Sequence, residues 1–310
     1  MPIAPSTTPT VAEFAAHWLA MIRAAVRPQT LTGYRSITRR MILPALGALP
    51  LGDVTRAHVR AWLGELLAEG RAPQTVARAH SVLTVLLNIA IDDGLLTTNV
   101  AHGLARRLRR SVRPRIVLEL AQLDLFLDRA RDLAGPRQWP LFVALAAGGL
   151  RVGEAAALRP EDIHPERPVI TVARNRRAGG QVGPTKSGRV REVLVTETAA
   201  AILRDLPPHR SGWLFPGRRG PHPVSAEHVR KLTRQIAIAA GLPAQVTPRT
   251  FRRSYAQALR TVGASVAFVA DQCGHASTAT TERFYLDGAR RADAPAILTG
   301  GPHLRRVALP

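Results

Sequence analysis

Thr247-Pro248-Arg249-Thr250-Phe251-Arg252-Arg253 reads as the start of a helix that carries three cations in its first turns. Proline suits the first helical position, where its missing N–H is not needed, and the threonine before it marks a good helix start. Positions 249, 252 and 253 share roughly one face. The free backbone N–H groups and the positive end of the helix point the same way, so the segment favours an anion. Downstream, Gly274-His275 closes the next helix, and a Thr-rich loop leads to Thr280-Thr281-Glu282-Arg283-Phe284-Tyr285. Each piece alone has an ordinary reading: a solvated helix end, a structural histidine, a core or surface tyrosine.

Upstream, Gly148-Gly149-Leu150-Arg151-Val152-Gly153-Glu154 places an arginine among glycines, which admit a close backbone approach. Glu154, three residues on, can orient the Arg151 guanidinium. Lys186 lies in Pro184-Thr185-Lys186-Ser187-Gly188-Arg189, between two β-rich runs. An ammonium there can protonate a leaving alkoxide, a role for which arginine's pKa is too high. Arg151, Lys186, Arg249, Arg252, His275 and Tyr285 together suit one job, holding a phosphodiester while a tyrosine attacks it. The sequence shows no obvious metal site, no Walker motif and no cluster of carboxylates for a two-metal nuclease, so neither metal nor cofactor is expected.

Composition points the same way. The 310 residues are 46% hydrophobic, enough for two domains with ordinary cores. The net charge of +21 falls on both halves and attracts polyanions, with double-stranded DNA the leading partner. All of the 43 basic residues except Lys186 and Lys231 are arginines, which match phosphate oxygens two at a time. No apolar run approaches the roughly 20 residues needed to span a bilayer. The first ten residues lack a signal-peptide layout, and Cys273 is the single cysteine. A cytoplasmic protein without a membrane partner is expected.

In chain order, Thr10, Thr30, Thr55 and Pro73 mark four helix starts, and Gly70 and Gly94 mark stops, giving a four-helix unit without strand-like alternation. Small helical bundles with basic faces commonly grip duplex backbone. Arg106, Arg107, Arg109, Arg110, Arg113 and Arg115 form a basic linker that tracks phosphates. Arg253 is a further candidate DNA contact. Beyond about Val117 the periods are mainly helical, with runs 168–172 and 190–195 read as an antiparallel hairpin with Lys186 near its tip. The expected fold is mainly α, a helical unit followed by an α-rich domain with one small antiparallel β-sheet. The expected divisions are 10–105, a linker 106–116, a second domain 117–290 and a tail 291–310.

The ordered set Gly-Leu-Arg-x-Gly-Glu at 149–154, the hairpin lysine, Arg-x-x-Arg at 249–252, Gly-His at 274–275 and the tyrosine after Thr-Thr-Glu-Arg resembles the tyrosine recombinase (phage integrase) family. Leu43-Pro44-Ala45-Leu46-Gly47 and Asp93-Gly94-Leu95 are similar to parts of that family's helical core-binding domain. The resemblance covers about residues 10–290. It implies a site-specific recombinase that cuts and rejoins DNA through a 3′-phosphotyrosyl intermediate on Tyr285, without metal or ATP. It also implies a homotetramer on DNA, with a monomer free in solution. Two departures stand out: Arg249 and Arg253 occupy positions where the family often has histidine, and Tyr285 comes one residue later than the usual spacing from the Gly-His histidine. Two rival readings of the same residues are type IB topoisomerase-like nicking and resealing, and a sequence-specific DNA-binding protein with a degenerate catalytic site.

Overall fold

In a computed structural model of the chain, residues 8–104, 116–185, 187–218 and 220–275 are described. The chain divides into two compact units, Met1–Arg113 and Pro114–Pro310. Each has its own buried core.

The first unit is built from α1 (Val11–Met21), α2 (Pro28–Ile37), a short α3 (Leu43–Leu46), α4 (Arg56–Ala68) and α5 (Pro73–Asp92). Thr10 and Glu13 close a reciprocal capping box at the start of α1, and Thr55 caps α4. Pro73 opens α5 at its first position. The second helix begins at Pro28 with Arg27 before it, so Thr30 lies inside the helix rather than capping it. A wide π turn over Thr38–Ile42 links α2 to α3 without a break in the helical backbone. Trp18 stacks on Tyr34 at 5.3 Å, and the buried Trp62 donates its ring N–H to the Met41 carbonyl at 2.7 Å. The indole of Trp62 thereby satisfies a carbonyl in the wide turn as well as filling the core.

The second unit is assembled around α7 (Trp139–Gly148), whose residues are all buried. Around it lie α6 (Leu120–Ala134), α8 (Val152–Ala156), α9 (Glu197–Arg204), α10 (Ala226–Ala239), α11 (Pro248–Thr261) and α12 (Val266–Cys273). Phe126, Phe142 and Phe251 meet edge to face, with centroids 4.7 to 6.5 Å apart, and fix α6, α7 and α11 together. Among the described residues, four short strands complete the unit: β1 (Val169–Val172), β2 (Arg174–Arg176), β3 (Val182–Pro184) and β4 (Arg191–Leu194). β1 pairs antiparallel with β4, and β2 with β3, in two separate ladders. The turn of the inner hairpin is therefore residues 177–181. Position 186 falls in the connection between β3 and β4, not at the hairpin tip, and Lys186 itself lies outside the described residues. Among the described residues, no helix is long and apolar enough to cross a membrane.

Candidate active site

Three segments distant in sequence converge at the end of α12. Gly149 follows α7 in the left-handed region (φ +56°), and a Cβ there would run into the Tyr255 ring. Only glycine lets the chain turn this tightly against α11. The turn delivers Arg151 to the N-terminus of α8, where its backbone N–H donates to Glu154 Oε2 at 3.0 Å. The Arg151 side chain donates from Nη1 to Glu154 Oε1 at 2.7 Å and from Nη2 to the Gly274 carbonyl at 2.8 Å. Arg252, buried on α11, donates from Nη1 to the Gly149 carbonyl at 2.9 Å and from Nη2 to the Cys273 carbonyl.

A third guanidinium was not anticipated from sequence. Arg191, on β4, has a side chain only 6% exposed. It forks onto Glu154, Nη2 to Oε2 at 2.8 Å and Nη1 to Oε1 at 3.3 Å, and its Nε donates to the Gln272 carbonyl at 3.1 Å. The carbonyls of Gln272, Cys273 and Gly274 thus each accept from a different arginine. The last carbonyls of a helix lack intrahelical partners and carry the negative end of its dipole. Here three cations satisfy them. Gly274 caps α12 in the left-handed region (φ +58°), and the His275 N–H returns to the Ala270 carbonyl at 2.8 Å. Gln272 ties the same helix end to β4, its side chain accepting from the Leu194 N–H at 2.9 Å and from the Tyr255 hydroxyl at 3.2 Å.

The electrostatics follow from this wiring. Glu154 has a fully buried side chain. Burial raises its pKa, but the hydrogen bond and charge of Arg191, with the charge of Arg151, outweigh it and hold the carboxyl below its ordinary value. Burial, with repulsion from Arg151 and Arg191 adding to it, lowers Arg252 to about 10, so it remains a cation at neutral pH. His275 is lowered to about 4, first by burial and then by the charges of Arg252, Arg151 and Arg191. Its ring is neutral near pH 7 and has one N–H to donate. Three guanidiniums gather beside one carboxylate, which Arg151 and Arg191 bond directly, so the cluster carries an excess of positive charge.

Of the residues singled out in the sequence, Arg151, Arg252 and the His275 turn are brought together. Arg249 is exposed one helical turn before Arg252, and Arg253 is half-buried beside it on α11. Lys186, Tyr285 and the linker arginines Arg106, Arg107, Arg109, Arg110, Arg113 and Arg115 lie outside the described residues. Arg191 did carry a sequence signal. It is in phase with Val193 and Val195, the inward positions of its strand, and an arginine in phase with a buried face needs a buried partner.

The first unit bears a different basic feature. A groove between α2 and the start of α5 is lined by Ser36, Arg40, Arg71, Gln74, Thr75 and Arg78, and its three arginines are exposed.

The model described as the phage integrase family matches residues 117–291, and the phage integrase N-terminal SAM-like domain matches residues 10–67. The chain belongs to the phage integrase family, the tyrosine-type site-specific DNA recombinases. The tyrosine recombinase XerC of Rhodospirillum centenum is 30% identical over 250 residues, covering 77% of this chain and 68% of the relative. A putative integrase/recombinase of Sinorhizobium fredii is 30% identical over 171 residues, 54% of this chain, and this chain spans about half (51%) of that relative. The Tn1549 transposon integrase in complex with a circular intermediate DNA shares the fold at a TM-score of 0.79 and 20% identity, over 91% of this chain and 96% of that one. A lambda integrase tetramer bound to a Holliday junction aligns at a TM-score of 0.70 and 21% identity, over 93% of this chain and 80% of that one.

Proposed function

We propose that this chain cuts and rejoins DNA at specific sites through a 3′-phosphotyrosyl intermediate, with Tyr285 as nucleophile and neither metal nor ATP required. The observation that carries this reading is the convergence of Arg151 and Arg252 on consecutive carbonyls, next to His275 and ten residues before Tyr285. The Tyr285 oxygen attacks the phosphorus of one phosphodiester, its phenol proton passes to water, and the bond to the 5′-oxygen breaks. Lys186 supplies the proton that the leaving 5′-hydroxyl takes up. Negative charge building on the phosphoryl oxygens meets Arg151 and Arg252, with Arg249 and neutral His275 as further donors. A free 5′-hydroxyl then reverses the step on the same or another strand, so the phosphodiester energy is retained in the tyrosyl ester.

The other tyrosines support the choice of nucleophile. The chain holds three. Tyr34 packs on Trp18. Tyr255 is 1% exposed, donates to the Leu194 carbonyl at 3.1 Å, and is pushed well above the ordinary phenol range by burial. Tyr255 is thus committed to the core, and Tyr34 belongs to the first unit, whereas the arginine cluster is in the second.

Each tyrosine cuts one strand, so exchange between two duplexes needs four protomers. The lambda integrase tetramer on a Holliday junction, which shares this fold, supports a homotetramer on DNA, and free protein is a monomer in this reading. The groove of Arg40, Arg71 and Arg78, the linker 106–116 and Arg253 bind the duplex backbone, with units 10–105 and 117–290 as DNA-gripping and catalytic domains. A cytoplasmic location fits the buried free thiol of Cys273. A nicked suicide substrate tests the proposal. Wild type should become covalently attached to the 3′ end, and Tyr285→Phe should bind the site without attachment. Attachment that persists in Tyr285→Phe, or that requires Phe284→Tyr, would contradict it.

A further inference from the structure

We propose that Arg191 is a positioning residue for the reaction: it neutralises Glu154, so that the charge of Arg151 remains available to the phosphate, and it anchors the end of α12 beneath His275. This rests on the reading of the cluster as a phosphate site, and reaches a residue that contacts no substrate in that reading. Glu154 offers two oxygens and about four lone-pair positions, and all four are taken. Oε1 accepts from Arg151 Nη1 and Arg191 Nη1, and Oε2 from Arg191 Nη2 and the Arg151 N–H. The fork from Arg191 matches the carboxylate charge for charge. Arg151 makes one side-chain bond to the same carboxylate, spends Nη2 on a carbonyl, and keeps a side chain 30% exposed. Arg191, at 6%, is sealed beneath it. Remove the Arg191 charge, and the carboxylate has Arg151 as its closest remaining counter-ion. The cation meant for the phosphate is then internally neutralised.

A second observation ties Arg191 to the His275 turn. A Cβ on Gly274 would come within 2.9 Å of Arg191 Cζ, so the guanidinium fills the space under that turn. Its Nε bond to the Gln272 carbonyl fixes the helix end one residue before the carbonyl that Arg252 holds. A lysine can supply the charge but not three donors in one plane. The distinction between charge and shape is therefore open to experiment.

The full-length protein is compared as wild type, Arg191→Met, Arg191→Lys, Glu154→Gln and the double variant Arg191→Met/Glu154→Gln. All are first checked by thermal unfolding. Arg191→Met should trap a suicide substrate about 100-fold more slowly, the scale of losing one transition-state donor. Its affinity for the same DNA should stay within about threefold, because backbone contacts across the duplex dominate binding. Arg191→Lys should fall between the two. The double variant should recover about tenfold over Arg191→Met, because the competing carboxylate charge is gone. A parallel readout uses inorganic phosphate and the part of its phosphorus NMR line broadening that Arg252→Ala abolishes. That part should shrink in Arg191→Met and return in the double variant. Trapping at the wild-type rate in Arg191→Met, or a folded double variant no faster than Arg191→Met, would overturn the proposal. If Arg191→Met does not fold, Arg191→Lys and the double variant decide by the same criteria. If wild type traps no DNA while the phosphate readout behaves as described, the recombinase chemistry fails and the role of Arg191 stands. If wild type shows neither, both fall.

Discussion

Arg151, Arg191 and Arg252 in the second unit, and Arg40, Arg71 and Arg78 in the first, are the same side chain in opposite surroundings. The first three are held by a buried carboxylate and by four backbone carbonyls, those of Gly149, Gln272, Cys273 and Gly274. The second three are exposed along a groove, and the ion pair there, Arg71 to Glu69 at 3.3 Å, has both side chains about half exposed. A held guanidinium loses no further freedom when an anion arrives, and its charge is poorly screened. An exposed one follows the ligand, and salt screens it. In the proposed reading the held set fits one phosphate in one geometry, and the exposed set attraction along a duplex.

The contrast is sharpest in stability. Glu154→Ala should cost about 3–5 kcal/mol, because it leaves buried cations uncompensated, whereas Glu69→Ala should change stability by less than about 1 kcal/mol. Denaturant unfolding of the two variants measures both, and similar losses would erase the distinction. Next in size, Arg252→Ala should slow single-turnover cleavage by about 10²–10³-fold, while each of Arg40→Ala, Arg71→Ala and Arg78→Ala should mainly weaken DNA binding. Each of these three should also reduce the slope of log affinity against log salt by about 1. Binding titrations at several salt concentrations would show it. A slope change for none of the three would remove the groove from the DNA interface.

The smallest effect expected concerns pH. The His275 pKa lies near 4 in the folded chain, below its ordinary 6.5. Above pH 6.5 the ring is neutral folded or unfolded, so the shift has no effect on stability. As pH falls from 6.5 towards 4 the unfolded chain takes up the proton first, and the folded state loses stability. Wild type should therefore lose melting temperature relative to His275→Gln over that window and nowhere above it. The half-buried ring keeps the difference small. An NMR titration of the ring near 6.5 would contradict the assignment.

Most of the helices were legible because their signals are local. A threonine or serine cap, a proline at the first position and a closing glycine mark α1, α4, α5, α11 and α12 within a residue or two. The inner hairpin was not legible. Arg174-Asn175-Arg176 and Val182-Gly183-Pro184 lack alternation, and they pair only because β1 and β4 bring them together. Arg191 escaped for a related reason. The strand buries Arg191 and leaves Val190 63% exposed, the reverse of what side-chain hydropathy suggests. What reverses it is the Glu154 carboxylate, 37 residues away in sequence. The strand phase marks Arg191 as an inward position but does not record which distant carboxylate it pairs with, whereas Arg151, Arg252 and His275 could be read from the motifs around them.

The most direct test of the central claim is mass spectrometry of the trapped complex. Trypsin cuts after Arg283 and Arg290, so the peptide from Phe284 to Arg290 contains Tyr285 as its single tyrosine. After nuclease trimming, this peptide should carry a nucleotide joined through its 3′-phosphate to the phenol, and the released strand should end in a 5′-hydroxyl. A nucleotide on any other residue, or cleaved ends without an adduct, would contradict the account.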